Sequence, residues 1–79
     1  MDTDNKKLEY VSNNIKMYRV RLGLSQAEVA EKIGVTRSTY CHYEVNPQKL
    51  NVGRFMKLAD VLKCNLVDFF IPIDVTDRN

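Results

Sequence analysis

Apolar residues recur along the start of the chain in steps of three and four: Leu8, Val11, Ile15, Tyr18 and Leu22 form one seam. That period predicts an amphipathic helix from about Asn5 to Leu22, ended by Gly23. A shorter stripe follows at Val29, Ala30 and Ile33. Ser25 precedes it and Glu28 stands three residues on, the spacing of a capping box, so a second helix is predicted to start at Gln26. Gly34 ends it, because a residue without Cβ enters the left-handed conformation at no steric cost. Thr36 then caps a third helix, about Arg37 to Glu44. Tyr40 and Tyr43 share one of its faces, and Arg37, Ser38, Thr39 and His42 lie on the other. Asn46-Pro47 marks the exit, since asparagine tolerates the left-handed conformation and proline cannot extend a helix. Asn51 caps a fourth helix expected to bury Val52, Phe55, Met56, Ala59 and Leu62. Asn65, with Asp68 at its third position, caps a last short helix carrying Leu66, Phe69 and Phe70, and Pro72 closes it. No strand pattern exceeds a few residues, and there are no repeats or low-complexity runs.

The second and third helices are short, joined at a glycine, and able to approach closely over the small side chain of Ala30. This is the construction of a helix-turn-helix, and it points to DNA. With 79 residues there is room for one small domain and one modest core. Small cores of this kind are often completed by dimerisation.

Charge sharpens the picture. The net +2 is unevenly spread: Lys16 to Lys57 carries eight basic residues against three acidic ones, a net +5. The first fifteen residues are net −1 and Leu58 to Asn79 net −2. A basic middle with acidic ends suits a surface that faces phosphate, and is also compatible with an ordinary mixed-charge surface. No apolar stretch has the length of a membrane span, and the polar, acidic start differs from a signal peptide, so a cytoplasmic protein is expected. Cys41 and Cys64 are expected to be free thiols serving as small buried hydrophobes. Neither they nor His42, the single histidine, have the paired spacing of a zinc site, and no nucleophile, base and acid are gathered by sequence. Neither a cofactor nor an enzymatic activity is expected.

From about Val11 to Phe70 the chain resembles the Cro/phage-repressor type of helix-turn-helix domain, also called the xenobiotic-response-element family. The match is carried, in order and without gaps, by Ile15, Arg19, Gly23-Leu24-Ser25-Gln26, Val29-Ala30, Ile33-Gly34-Val35-Thr36, Tyr43-Glu44, Leu58-Ala59, Leu62, and Leu66 through Phe70. The resemblance implies an all-α fold: a compact five-helix, lambda-repressor-like domain over residues 11–71. Residues 1–10 would form an N-terminal extension that begins the first helix, and residues 72–79 a polar tail.

It also implies roles. Base contacts fall on Arg37, Ser38, Thr39 and His42. Arg37 has the chemistry to bridge the O6 and N7 of guanine, although a phosphate contact alone is the alternative. His42, one turn on, reaches a base or only a phosphate. Phosphate contacts are expected from Gln26, Thr36, Lys16, Asn46, Lys49 and Arg54, with Gln26 also propping the recognition helix. Arg19 and Glu44 are expected to pair, tying the first helix to the end of the third. The sequence departs from the family pattern at Tyr18 and Tyr40, where aliphatic residues are usual. It departs again at Asn46 and Lys63, more often glycine, and at Leu50, more often proline. Tyr40 is expected to bring its hydroxyl to the DNA edge as a further phosphate contact.

The expected function is therefore a sequence-specific double-stranded DNA-binding regulator. Its simplest form is a homodimeric repressor reading an inverted repeat, with activation left open. Further partners would be a protein antagonist or RNA polymerase. The rival is a protein-interaction module, antitoxin-like or antirepressor, using the same fold. The run Phe69 to Ile73 favours an interface, with the last helix and tail as first choice and the segment around Leu8 and Tyr10 as second.

Overall fold

A computed structural model describes residues 2–72, with side chains from Glu9 onward. The side chain of Leu8 and the tail from Ile73 to Asn79, both part of the expectations above, lie outside the described residues. Four α-helices follow one another: α1 (Asp2–Arg21), α2 (Gln26–Ile33), α3 (Arg37–Val45) and α4 (Val52–Val61). Two 3₁₀ segments, Pro47–Lys49 and Leu66–Phe70, complete the fold, and no strand occurs among the described residues.

The local chemistry accounts for these boundaries. Ser25 caps α2 as predicted: its hydroxyl accepts from the Glu28 N–H at 3.0 Å, and Glu28 Oε1 accepts from the Ser25 N–H at 2.7 Å. Gly34 ends the helix at φ +81, where the Val35 N–H reaches back to Ala30 O at 3.0 Å. Thr36 and Asn51 cap α3 and α4 through the Thr39 and Arg54 amides. Asn46, however, adopts φ −127 and not the left-handed conformation expected of it. Among the described residues the non-glycine residue in that conformation is Lys63, at φ +58 past the end of α4.

The core joins Val11 and Ile15 of α1, Val29, Ala30 and Ile33 of α2, Tyr40 and Tyr43 of α3, and Leu58, Ala59 and Leu62 at α4, with Leu50 and Phe69. Phe69 is fully buried between Tyr18 and Phe55, with ring centroids 6.0 Å from each. Burying a side chain of this size contributes about 1.5–3 kcal/mol, which is how so short a segment is anchored on the helices. Asn14 adds a polar clamp that sequence reasoning did not single out. Buried at 2 % exposure, its amide donates to the carbonyls of Phe69 and Ile71, both at 2.9 Å. The Tyr10 hydroxyl donates to Phe70 O at 3.2 Å.

Several expectations are corrected. The fifth helix is a five-residue 3₁₀ helix, closed by Ile71 N–H to Asp68 O, so the domain has four α-helices and not five. Its bonds are of the i→i+3 kind, Asp68 N–H to Asn65 O at 2.9 Å among them, the pattern of short connecting pieces. Leu22 is 39 % exposed, because α1 stops at Arg21 and the chain turns at Gly23. On α4 the inward stripe is Phe55, Leu58, Ala59 and Leu62, and Val52 and Met56 flank it, exposed at 68 % and 57 %. Met56 follows Phe55 by one residue, about 100° around the helix, and so turns off the core. Phe70 is also exposed, and both cysteines are only half-buried.

Candidate nucleic-acid interface

α3 lies across α1 and α2 and is held by one carboxylate. Glu44, 5 % exposed, accepts from Arg19 Nε of α1 at 2.5 Å, Gln26 Nε2 of α2 at 3.1 Å and the Tyr40 hydroxyl at 2.6 Å. Arg19 also donates to Leu24 O at 2.8 Å, and the Ser12 hydroxyl donates to the Glu44 carbonyl. Burial alone raises the Glu44 pKa, but hydrogen bonds from Arg19, Tyr40 and Gln26 outweigh it and hold the carboxyl below its ordinary value. Burial and the Glu44 carboxylate push the Tyr40 hydroxyl far up, so it remains a donor. Three helices therefore share one charge, and the orientation of α3 follows from it.

This removes Tyr40 from the outer surface. It is 0 % exposed and its hydroxyl donates to Glu44, so the hydroxyl is turned into the fold and not to the outer edge expected of it. Tyrosine at i and glutamate at i+4 fall on the same helix face, and that spacing was the available signal. Gln26 is similarly committed. Its Nε2 donates to Glu44 and its Oε1 accepts from the Cys41 thiol at 3.0 Å, so the side chain props α3 and is not turned outward.

The outer face of α3 opens on a groove of about 860 Å³ lined by Thr36, Arg37, Ser38, Cys41, His42, Val45 and Asn46. Arg37, Ser38 and His42 are exposed there together. Thr39 does not line the groove: it is half-buried, and its hydroxyl accepts from Thr36 Oγ1 at 2.9 Å within the cap. Cys41 and Val45 take its place. They stand four and eight residues after Arg37, a helical period that marks them as neighbours, and Val45 is 71 % exposed. Val45 was missed because the helix was predicted to end one residue earlier.

Lys16 is exposed beside a second cleft, of about 400 Å³, between α1 and the start of α2, and Val45 borders both. Lys49 is exposed on the 3₁₀ turn after α3. Arg54 is exposed at the start of α4, where its Nη1 donates to the Tyr43 hydroxyl at 2.8 Å and its guanidinium stands 5.9 Å from that ring. Asn46 accepts from Gln48 Nε2 at 3.4 Å. Among the described residues the only ion pair is Arg19–Glu44, so the cations around α3 are not neutralised by pairing. The described residues hold no cluster of three or more His, Cys, Asp or Glu fit for a metal, and no helix of theirs is long and apolar enough to cross a membrane.

A capped short helix, a glycine turn and a second helix mounted on it with its polar face outward define a helix-turn-helix. The chain belongs to that family, of the Cro/C1 type, whose model matches residues 15–69. It is similar to the antitoxin HipB of Escherichia coli K12, 30 % identical over 56 residues, covering 71 % of this chain and 64 % of that protein. It is also similar to an uncharacterized HTH-type transcriptional regulator, RC0668, of Rickettsia conorii, 34 % identical over 65 residues, covering 80 % of this chain and 52 % of that one. The chain thus spans between half and two thirds of the length of the curated relatives it matches. No solved structure shows a significant match.

Proposed function

We propose that the protein is a sequence-specific double-stranded DNA-binding regulator that acts as a homodimer and represses by occupying a promoter. The observation that carries this is the outward face of α3: Arg37, Ser38, His42 and Val45 exposed along one groove, on a helix fixed by Glu44. Inserted in a major groove, Arg37 pairs with guanine O6 and N7, and Val45 packs on a thymine methyl. Lys16, Lys49 and Arg54 take flanking phosphates, and the exposed N-termini of α2 and α3 add backbone donors. The apolar end of the described chain, with Val67, Phe70 and Ile71 exposed at 59 %, 41 % and 51 %, is the dimer face. A dimer sets two recognition helices about 34 Å apart over an inverted repeat.

Selection from a randomised duplex pool, with Arg37→Ala beside the parent at two salt concentrations, tests this. The expected result is an inverted repeat whose guanine preference disappears in the variant. Binding should fall by about 10³-fold or more between 50 and 200 mM salt. Salt-sensitive retention with no enriched sequence would defeat the specific reading. A second reading, an antitoxin-like module that also grips a protein, is favoured by the similarity to HipB, and it keeps the same DNA face.

A further inference from the structure

Away from α3, the turn between α1 and α2, the end of α2 and the later half of α4 border an open groove of about 480 Å³. Three of its lining residues form an aliphatic floor patch, Leu22, Leu24 and Val61, with Leu22 left 39 % exposed at the turn. Its rim is cationic: Lys32 from α2, Lys57 from α4 and Lys63 beyond it, all exposed, with Asp60 the one carboxylate among the lining residues. None of the three lysines forms an ion pair among the described residues. Lys63 is held at this rim by a left-handed backbone, φ +58. The groove shares no lining residue with the recognition face, so both can be occupied at once.

The geometry points to a docking site for an acidic protein segment carrying aliphatic anchors. Charge complementarity selects the sign, since three ammonium groups against one carboxylate ask for Asp or Glu. The floor selects peptide over nucleic acid: a phosphate backbone gains nothing from Leu22, Leu24 and Val61, whereas a leucine-type side chain buries them and is buried by them. An acidic helix or loop of a partner laid along the groove would sit on the scaffold and leave α3 free. The protein could then recruit that partner while engaged elsewhere.

A display library of random twelve-residue peptides, panned on the full chain, supplies the probe. Enriched peptides should pair Asp or Glu with Leu, Ile or Met. In amide NMR spectra they should shift Leu22, Leu24, Lys32 and Lys57 to Lys63 while leaving Arg37 to Val45 in place. The double variant Lys57→Glu, Lys63→Gly should weaken them by about tenfold, the combined effect of two exposed charge contacts. Melting curves of the double variant and of Lys63→Gly, which relieves the backbone, no lower than the parent's separate lost binding from lost folding.

Any of these outcomes overturns the proposal: enriched peptides without acidic residues, shifts confined to α3, unchanged affinity in the double variant, or groove amides that respond to a short DNA duplex and not to the peptides. If the double variant alone moves the amides of residues 73–79, the occupant is the chain's own tail, and a partner segment is equally refuted.

Discussion

The Glu44 carboxylate stands 2.5 Å from Arg19 Nε, joining the last turn of the first helix to the last turn of the third. Both side chains are largely withdrawn from water, at 3 % and 13 % exposure, so removing either one strands the other. Glu44→Ala should destabilise the fold by about 3 kcal/mol or more, chiefly because Arg19 is left charged and unpaired. Arg19→Met should recover part of that loss in the double variant. A thermal melt of the four proteins checks both statements, and a shift of only a degree in Glu44→Ala would sink them.

Acid should weaken the same junction. Glu44 titrates below its ordinary 4.5 in the folded chain, as does Glu28, whose carboxylate accepts from the Ser25 amide. A carboxyl depressed on folding stabilises fully above its unfolded pKa, and that stability is lost as pH falls through the folded value. Melting temperature should therefore be level near neutrality and decline below about pH 4.5. The decline should be shallower in Glu44→Gln. Equal acid slopes in parent and variant would assign the effect elsewhere.

Two neighbours on α3 should respond oppositely to truncation. Arg37 faces the groove, whereas Thr39 is folded back onto Thr36. Arg37→Ala should cost about 1–3 kcal/mol of discrimination at one guanine position. Thr39→Ala should leave the preferred sequence unchanged. Val45→Ser should relax a thymine position. Enrichment profiles of the three variants on one duplex library decide the matter, and a base preference lost with Thr39 would move the reading face.

Two of the left-handed helix ends, Gly34 and Lys63, allow a signed comparison. Gly34 has φ +81 with nothing within 4 Å of an added Cβ, so Gly34→Ala meets strain and no clash, and should cost about 1 kcal/mol. Lys63 carries that strain already at φ +58, so Lys63→Gly should stabilise by a similar amount, reduced by the unfolded-state entropy of glycine. Chemical denaturation of both variants tests the pair. A destabilised Lys63→Gly would mean that the lysine side chain contributes more to the fold than its backbone costs.

Ser25, Glu28 and Gly34 made α2 legible in the sequence, because capping and left-handed turns depend on residues only a few positions apart. The Arg19–Glu44 pair is legible only through the family resemblance and not through spacing, since a contact across 25 residues leaves no local trace. Tyr40 was misplaced for a related reason. An aromatic ring with a hydroxyl fits both a core and a wet edge, and its partner on the next turn had already been given to Arg19. Asn14 went unread because a polar residue beside the Val11–Ile15 seam looks like a helix flank until the carbonyls of Phe69 and Ile71 arrive above it. Val52 and Met56 show the converse, as apolar type cannot tell a core stripe from its margins.

Glu44 gathers its partners from three helices, yet Arg37, Ser38, His42 and Val45 are not among them. These four side chains are thereby spared any hydrogen bond to that junction, unlike Cys41 beside them, which donates to Gln26. Such a helix can be rewritten by grafting: a few codons at these positions alter what the surface meets while the mounting stays intact. On this scaffold the substitutions that spare the mounting lie on the outside of α3, and those that break it lie underneath.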